Sequence, residues 1–312
     1  MQHVHRHPLS SICILILFSF MLIFPRQVFL GAKSGLLLWF QTIIPTLLPF
    51  SIISNIMIKT GSFYYISNAV GPLFRPFFCV SSAGVFAVIV GFICGYPLGA
   101  KVISQLLANQ SISKEEADYL LSFCNNVSPI FIINYLVMSA LGDSRLILPV
   151  LCILIGSPVL CSFFFRFFRK NKFEKSDCHT DSKIQITSFH MQTLNACLMD
   201  SFEMMVYLGG YIMIFSVIIS LMQTFRFVEL IRYLLPFLEV TNGISLLQTY
   251  SIPYEGTLIF TLAITSFGGI CALFQTKMVL AGSGLSLRKY TIKKLATMLV
   301  TSLLTILYLF FI

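Results

Sequence analysis

The chain has 312 residues, 57% of them hydrophobic and only 11% charged, against about a quarter charged in a typical soluble domain. That balance excludes a soluble enzyme or binding module and indicates an all-α polytopic membrane protein. The net charge of +9 does not point to nucleic acid, because the basic residues flank apolar runs, where the insertion rule puts them, and no basic face is interleaved with aromatics.

Met1 to His7 places His3, His5 and His7 around Arg6 and reads as a solvated tail. Ile12 to Phe24 has the apolar core of a signal peptide, yet Phe24-Pro25-Arg26 follows instead of a small-x-small cleavage site. A retained first helix is expected. Arg26 and Lys33 mark a short basic turn, and Leu36 to Met57 a second span that Pro45 and Pro49 kink, either for packing or to line a site. Gly61 to Phe78 mixes Ser62, Asn68 and Arg75 with aromatics and suits an interfacial or re-entrant helix.

The apolar run from Ala83 to Leu107 is long enough to cross a bilayer. Within it stand Gly91, Gly95, Tyr96, Pro97, Gly99 and Lys101. Proline removes a backbone donor, and in lipid a broken helix survives only against protein or a wet cavity. An ionisable residue at that depth is a functional hypothesis by default, so this stretch reads as a site.

Ser113-Lys114-Glu115-Glu116 is a capping box that restarts a helix. The helix runs into Asn125-Asn126-Val127-Ser128-Pro129, a second expected break, and on to Leu141. Gly142 to Arg145 is a turn and Leu146 to Phe168 a clean span. Residues 1–168 form an N-terminal membrane half, with a repeat unit at about 36–141, and 169–192 a basic linker placed on the cytoplasmic side by its lysines and arginines. Residues 193–312 form the second half, with a span from Met199 to Met222 and an amphipathic stretch from Phe225 to Leu238. A polar tip at Glu239, Asn242 and Gly243 follows, then a span from Thr257 to Leu280 interrupted at Gly268 and Gly269. Arg288, Lys289, Lys293 and Lys294 make a basic collar before a last helix, Leu295 to Ile312.

The halves follow one order of events. Gly91 to Cys94 with Lys101 answers to Gly269 to Cys271 with Lys277, and Phe74 to Phe77 answers to Leu235 to Leu238. Broken spans in corresponding positions are the best sequence pointer to a transporter site at a repeat interface. About eight spans fit the charge pattern. The repeats are parallel if all eight are plain spans and inverted if one is a re-entrant hairpin.

The expected chemistry is binding. Lys101 and Lys277 neutralise a small anionic substrate, or else snorkel to the interface or pair with Asp200 or Glu203. Asn125, Asn126, Ser128 and Tyr96 orient the substrate, or else the asparagines and serine join helices. Gly95, Pro97, Gly99, Pro129, Gly268 and Gly269 shape the breaks. No metal, cofactor or catalytic set is expected: the chain has no Cys-x-x-Cys, His-Glu-x-x-His, Gly-x-Ser-x-Gly or Walker pattern among its residues, and its nine cysteines read as packing residues. The lipid bilayer is the expected partner, and a homo-oligomer is allowed.

Cys94-Gly95-Tyr96-Pro97-Leu98-Gly99-Ala100-Lys101, then Ser111 to Ala117, then Ser122-Phe123-Cys124-Asn125-Asn126, with Glu239 to Gly243 later, resemble the YlbJ-type sporulation integral membrane proteins. Those proteins carry nucleoside-recognition (Gate-type) domains. The family has a small residue and glycine after the two asparagines, where this chain has Val127-Ser128. The resemblance implies a protein of endospore-forming bacteria in the mother-cell-derived outer forespore membrane, carrying dipicolinic acid. The Gate-type domain implies nucleosides or another small solute as the alternative cargo, and a non-transporting sporulation scaffold is the alternative of another class.

Overall fold

A computed structural model describes residues 8–167, 190–224 and 229–311. The histidine tail, nearly all of the basic linker and the start of the expected amphipathic stretch at Phe225 lie outside the described residues. Within them, all regular structure is helical.

Helix α1 (Pro8–Ile23) is followed after one residue by α2 (Pro25–Leu38). Pro25 stands at the first helical position, where its missing N–H costs nothing and its fixed φ favours the helix. Arg26 and Lys33, expected in a turn, therefore lie on α2. A π-helical segment, Trp39–Ile43, joins α2 to α3 (Ile44–Thr60), so that Pro25–Thr60 runs as one helix. The wide turn precedes Pro45, and the Thr46 hydroxyl donates to the carbonyls of Thr42 (2.6 Å) and Ile43 (3.2 Å). The prolines are absorbed by these adjustments rather than by a break.

Helix α4 (Phe63–Phe78) meets α5 (Ser82–Ile93) at 89°. Helix α6 (Leu98–Ala108) folds back on α5, and α7 (Lys114–Leu121) follows. The expected capping box forms in part across space. Ser113 Oγ accepts from Glu116 N, while the Glu116 carboxylate accepts from Ser81 N at 2.6 Å, tying the start of α7 to the start of α5. After an irregular stretch come α8 (Pro129–Leu141) and α9 (Ile147–Phe167).

The second half opens with α10 (Met191–Thr224), longer than the expected span. Short α11 (Glu229–Leu234) and α12 (Val240–Leu247) flank a tight turn. Helices α13 (Tyr254–Phe267) and α14 (Gly269–Val279) are separated at Gly268, and α15 is Leu287–Phe310. The last helix thus begins eight residues before the expected Leu295, and the basic collar is part of it.

Among the described residues, five helices are long and apolar enough to cross a membrane, or six if α4 and α5 count as one bent span. The eight spans expected from the sequence are not all continuous, because the two most polar apolar runs, around Pro97 and around Asn126, are each two short helices. Large apolar side chains point outward along the long helices, Leu148, Leu299 and Leu303 among them. Surface of that kind needs lipid. The protein is an all-α polytopic integral membrane protein.

Among the described residues, the two largest of four buried clusters organise the interior. One gathers Phe63, Phe86, Leu98 and Phe123 around α5, α6 and α7. The other gathers Ile132, Leu136, Leu262 and Ile264 around α8, α9, α12 and α13. Helix α2 crosses α10 through Gly31 and Gly35, where an added methyl would lie 2.8 Å from backbone atoms of Val217 and Met213. Small residues four apart are how membrane helices approach closely, since lipid supplies no hydrophobic drive between them. Above that crossing Trp39 Nε1 donates to Met205 O at 2.7 Å, and its ring covers Gly209.

Adjacent glycines should therefore respond oppositely. Gly209→Ala places a methyl 2.7 Å from the Trp39 ring, whereas nothing lies within 4 Å of one at Gly210. Melting of the detergent-solubilised protein should show a loss of about 1–3 kcal/mol for Gly209→Ala from overpacking. Gly210→Ala should be neutral or stabilising by up to about 1 kcal/mol, as alanine favours the helix.

Candidate functional site

The break between α5 and α6 is made by Gly95 (φ +85°) and Pro97, with a cis Tyr96–Pro97 peptide. Gly91 and Gly99 face each other across it, and the carbonyl of Cys124 enters between them: a methyl on either glycine would lie about 2 Å from that oxygen (1.9 and 2.1 Å). Gly99, expected to shape the break, thus makes room for a third strand of backbone. Tyr96 N donates to Asn126 O at 2.6 Å, so the hairpin tip and the second break satisfy each other. Asn125 lies beneath. Its carbonyl oxygen accepts from Ala100 N (3.2 Å), and its amide donates to Thr276 Oγ1 (3.1 Å) and Tyr290 OH (2.8 Å). Ser128 caps α8 by accepting from Phe131 N, with Pro129 at the first helical position.

The second half builds a similar pair from different residues. The turn Leu235–Phe237 folds against α12, where a methyl at Gly243 would lie 2.1 Å from Pro236 O. Gly268 and Gly269 both hold positive φ (+88° and +79°), which side chains with a Cβ rarely adopt. Just beyond them Cys271 N donates to Leu238 O at 2.8 Å. Gly91–Lys101 and Gly269–Lys277, paired in the sequence, each contain a glycine of positive φ at a helix break and a lysine on the eleven-residue helix that follows, α6 or α14.

The breaks meet around a cavity of about 250 Å³. Tyr96, Ser128, Tyr135, Glu239, Gly268 and Gln275 are among the residues that line it. Glu239 is the one charged lining residue among the described ones, and it is 4% exposed. Its carboxylate caps α12, accepting from Thr241 N (3.0 Å), Asn242 N (2.8 Å) and Asn242 Nδ2 (2.7 Å). Asn242 also reaches Ser216 on α10 at 2.8 Å, and Tyr135 OH donates to Thr241 O at 2.8 Å. Of the expected polar tip, Glu239 is thus part of the cavity wall, while Asn242 and Gly243 pack behind it against Ser216 and Pro236.

The two lysines expected to hold an anion do not meet. Lys101 lies in a separate cleft of about 200 Å³ with Asp200 and Glu203, its amine donating to Ser51 Oγ (3.3 Å) and Asp200 O (3.4 Å). The Asp200 carboxylate pairs instead with Lys59 at 3.1 Å. Lys277 is exposed on α14. Neither lysine lines the central cavity.

One residue escaped the sequence reading. Lys294 is 1% exposed, and its amine donates to Asn126 Oδ1 (3.1 Å) and to Ser266 O (3.0 Å) in the last turn of α13. It is no part of a solvated collar. The signal was present: Tyr290, Lys294, Thr297, Thr301 and Thr305 recur at three- and four-residue intervals and form the buried face of α15.

Residues 40–147 match the nucleoside-recognition (Gate) family. That range contains the α5–α6 hairpin and the break at 124–128. The chain is also 36% identical over 131 residues to the sporulation integral membrane protein YlbJ of Bacillus subtilis (strain 168), a match covering 40% of this chain and 32% of that protein. The match thus spans about a third of the relative's length. No solved structure matches the chain.

Substitutions at the asparagines should separate two kinds of loss. Asn125→Leu leaves Ala100 N, Thr276 and Tyr290 without their partner in a dry setting and should lower stability by about 1–3 kcal/mol or more. Ser128→Ala removes a helix cap and should cost only about 1 kcal/mol. Thermal melting of the two purified variants beside wild type measures both.

Proposed function

We propose that the chain is a membrane carrier for a small polar solute, with its binding site in the cavity where the helix breaks meet. The observation that carries this is the cavity itself, walled by four interrupted segments inside the membrane part of the chain. Irregular backbone at that depth belongs where it lines a substrate path. The similarity to YlbJ supports a role in sporulation, and the outer forespore membrane is the corresponding location.

The lining favours a neutral solute with hydroxyl or amine donors, such as a nucleoside. A carboxylate has about four acceptor positions, and Thr241 and Asn242 fill those of Glu239 through backbone and side chain alike, so the cavity meets its negative charge rather than a free lone pair. Hydroxyls and amides supply most of the other polar lining, and Tyr96 and Tyr135 offer rings for a planar group. The volume falls just under the usual range of roughly 300–1,000 Å³ for small-molecule sites.

Dipicolinic acid is the second reading, favoured by the similarity to a sporulation protein and by the Lys101 cleft. Against it, a dianion in the central cavity would face the Glu239 carboxylate with no lining cation to offset it.

Proteoliposomes holding the full chain test the two cargoes directly with labelled uridine and labelled dipicolinate. The expected result is saturable uridine uptake, cut roughly tenfold (about 1.4 kcal/mol) by Glu239→Gln in protein that still melts cooperatively, and unchanged by Lys101→Ala. Dipicolinate uptake abolished by Lys101→Ala would replace the nucleoside reading with the dianion one. Uptake of neither solute would favour a scaffold.

A further inference from the structure

The Lys294 amine donates to the two breaks at once. Asn126 is one partner, and its backbone carbonyl in turn holds Tyr96 at the hairpin tip. Ser266 is the other, and its carbonyl is among the last four of α13, which have no partner within the helix. Helix C-termini carry partial negative charge. In carriers built from interrupted helices, unwound carbonyls and half-helix C-termini are the groups that coordinate a coupling cation. Here those groups face an amine that belongs to the chain.

The surroundings suit a cation held by dipoles rather than by an ion pair. Among the described residues no carboxylate lies within ion-pair distance of Lys294. The titratable neighbour from α9 is Cys161, and on α15 itself Tyr290 sits one turn away, occupied by Asn125. Both cavity walls therefore depend on one ammonium group. It secures the break at 124–128, and through it Tyr96, and it secures the end of α13, next to Gly268, which the Tyr96 ring covers.

We propose that Lys294 is a tethered cation in the place of a diffusible coupling ion, its amine joining two broken segments so that the protein holds its closed cavity without sodium. The proposal rests on the carrier reading for its meaning, but the joint can be tested without any transport. Removing the amine leaves two inward-facing oxygens around a void of negative potential. A small cation added from solution should then fill it.

The experiment compares melting temperatures of the detergent-solubilised full chain in sodium, choline and methylammonium chloride at equal ionic strength and pH. Wild type should melt at the same temperature in all three. Lys294→Ala should melt several degrees lower in choline and recover part of the loss in methylammonium or sodium. Equal melting of Lys294→Ala in all three salts would overturn the proposal. Should that variant not fold, Lys294→Gln decides, since it keeps donors but no charge. Wild-type stability of Lys294→Gln in every salt shows that hydrogen bonding alone is required and also overturns the proposal, whereas a deficit relieved by methylammonium or sodium supports it. Uridine uptake by wild-type proteoliposomes, expected to be equal with and without a sodium gradient, reads the carrier function separately. Absent uptake with intact salt rescue would sink the carrier reading and leave the tethered cation standing.

Discussion

Backbone N–H and C=O groups freed by a helix break have no water to turn to inside a bilayer, and each left unpaired costs several kcal/mol. Most of the interior can be understood from that constraint. The hairpin tip at Tyr96 is paired with Asn126 O, and Cys271 N with Leu238 O, so that each break is completed by another segment of backbone. Where backbone cannot reach, side chains do: Asn125 takes Ala100 N, Glu239 takes two amides of α12, and Lys294 takes the carbonyl of Ser266. Glycines make these approaches possible. Gly91, Gly99 and Gly243 each sit where a methyl would collide with a carbonyl oxygen.

The same pairing explains why the cavity lies where it does. Four irregular segments have to stay together to satisfy one another, and irregular backbone packs less regularly than two helix faces. The space between them is therefore a consequence of the breaks. Its lining then inherits the polar residues that the breaks need, with Ser128 and Glu239 serving both as helix caps and as cavity wall. Stability and recognition are coupled at these positions. A carrier can use such coupling, because a change at the solute is felt by the backbone that closes around it.

The long helices play a simpler part. Helices α2, α10 and α15 present apolar side chains outward and small or hydroxyl residues inward, with Gly31, Gly35 and Ser216 at one crossing and Thr301 against Ser157 (2.8 Å) at another. They hold the interrupted segments as a frame. Close helix contact in lipid comes from such small residues and hydrogen bonds, which is why the frame is tight without a large aliphatic core of its own.

Much of this was legible in the chain itself. Composition alone decided the membrane class, and the positions of the breaks followed from glycine and proline in apolar runs at Gly95, Pro97, Pro129, Gly268 and Gly269, because those residues carry their backbone preferences into any fold. Ser113 as a helix cap was likewise a local matter. The site was only half legible. Lys101 and Lys277 stand out in sequence as charges in apolar runs, yet one sits in a side cleft and the other is exposed. Lys294 looked like one of four basic residues at a helix start, and Glu239 looked like a loop end. Whether a lysine reaches the interface or turns inward depends on which face of its helix meets its neighbours, and that is set by the crossing of α15 with α9 and α13. Tertiary structure decided it, since one of the two partners of Lys294, Asn126, lies 168 residues away in the chain.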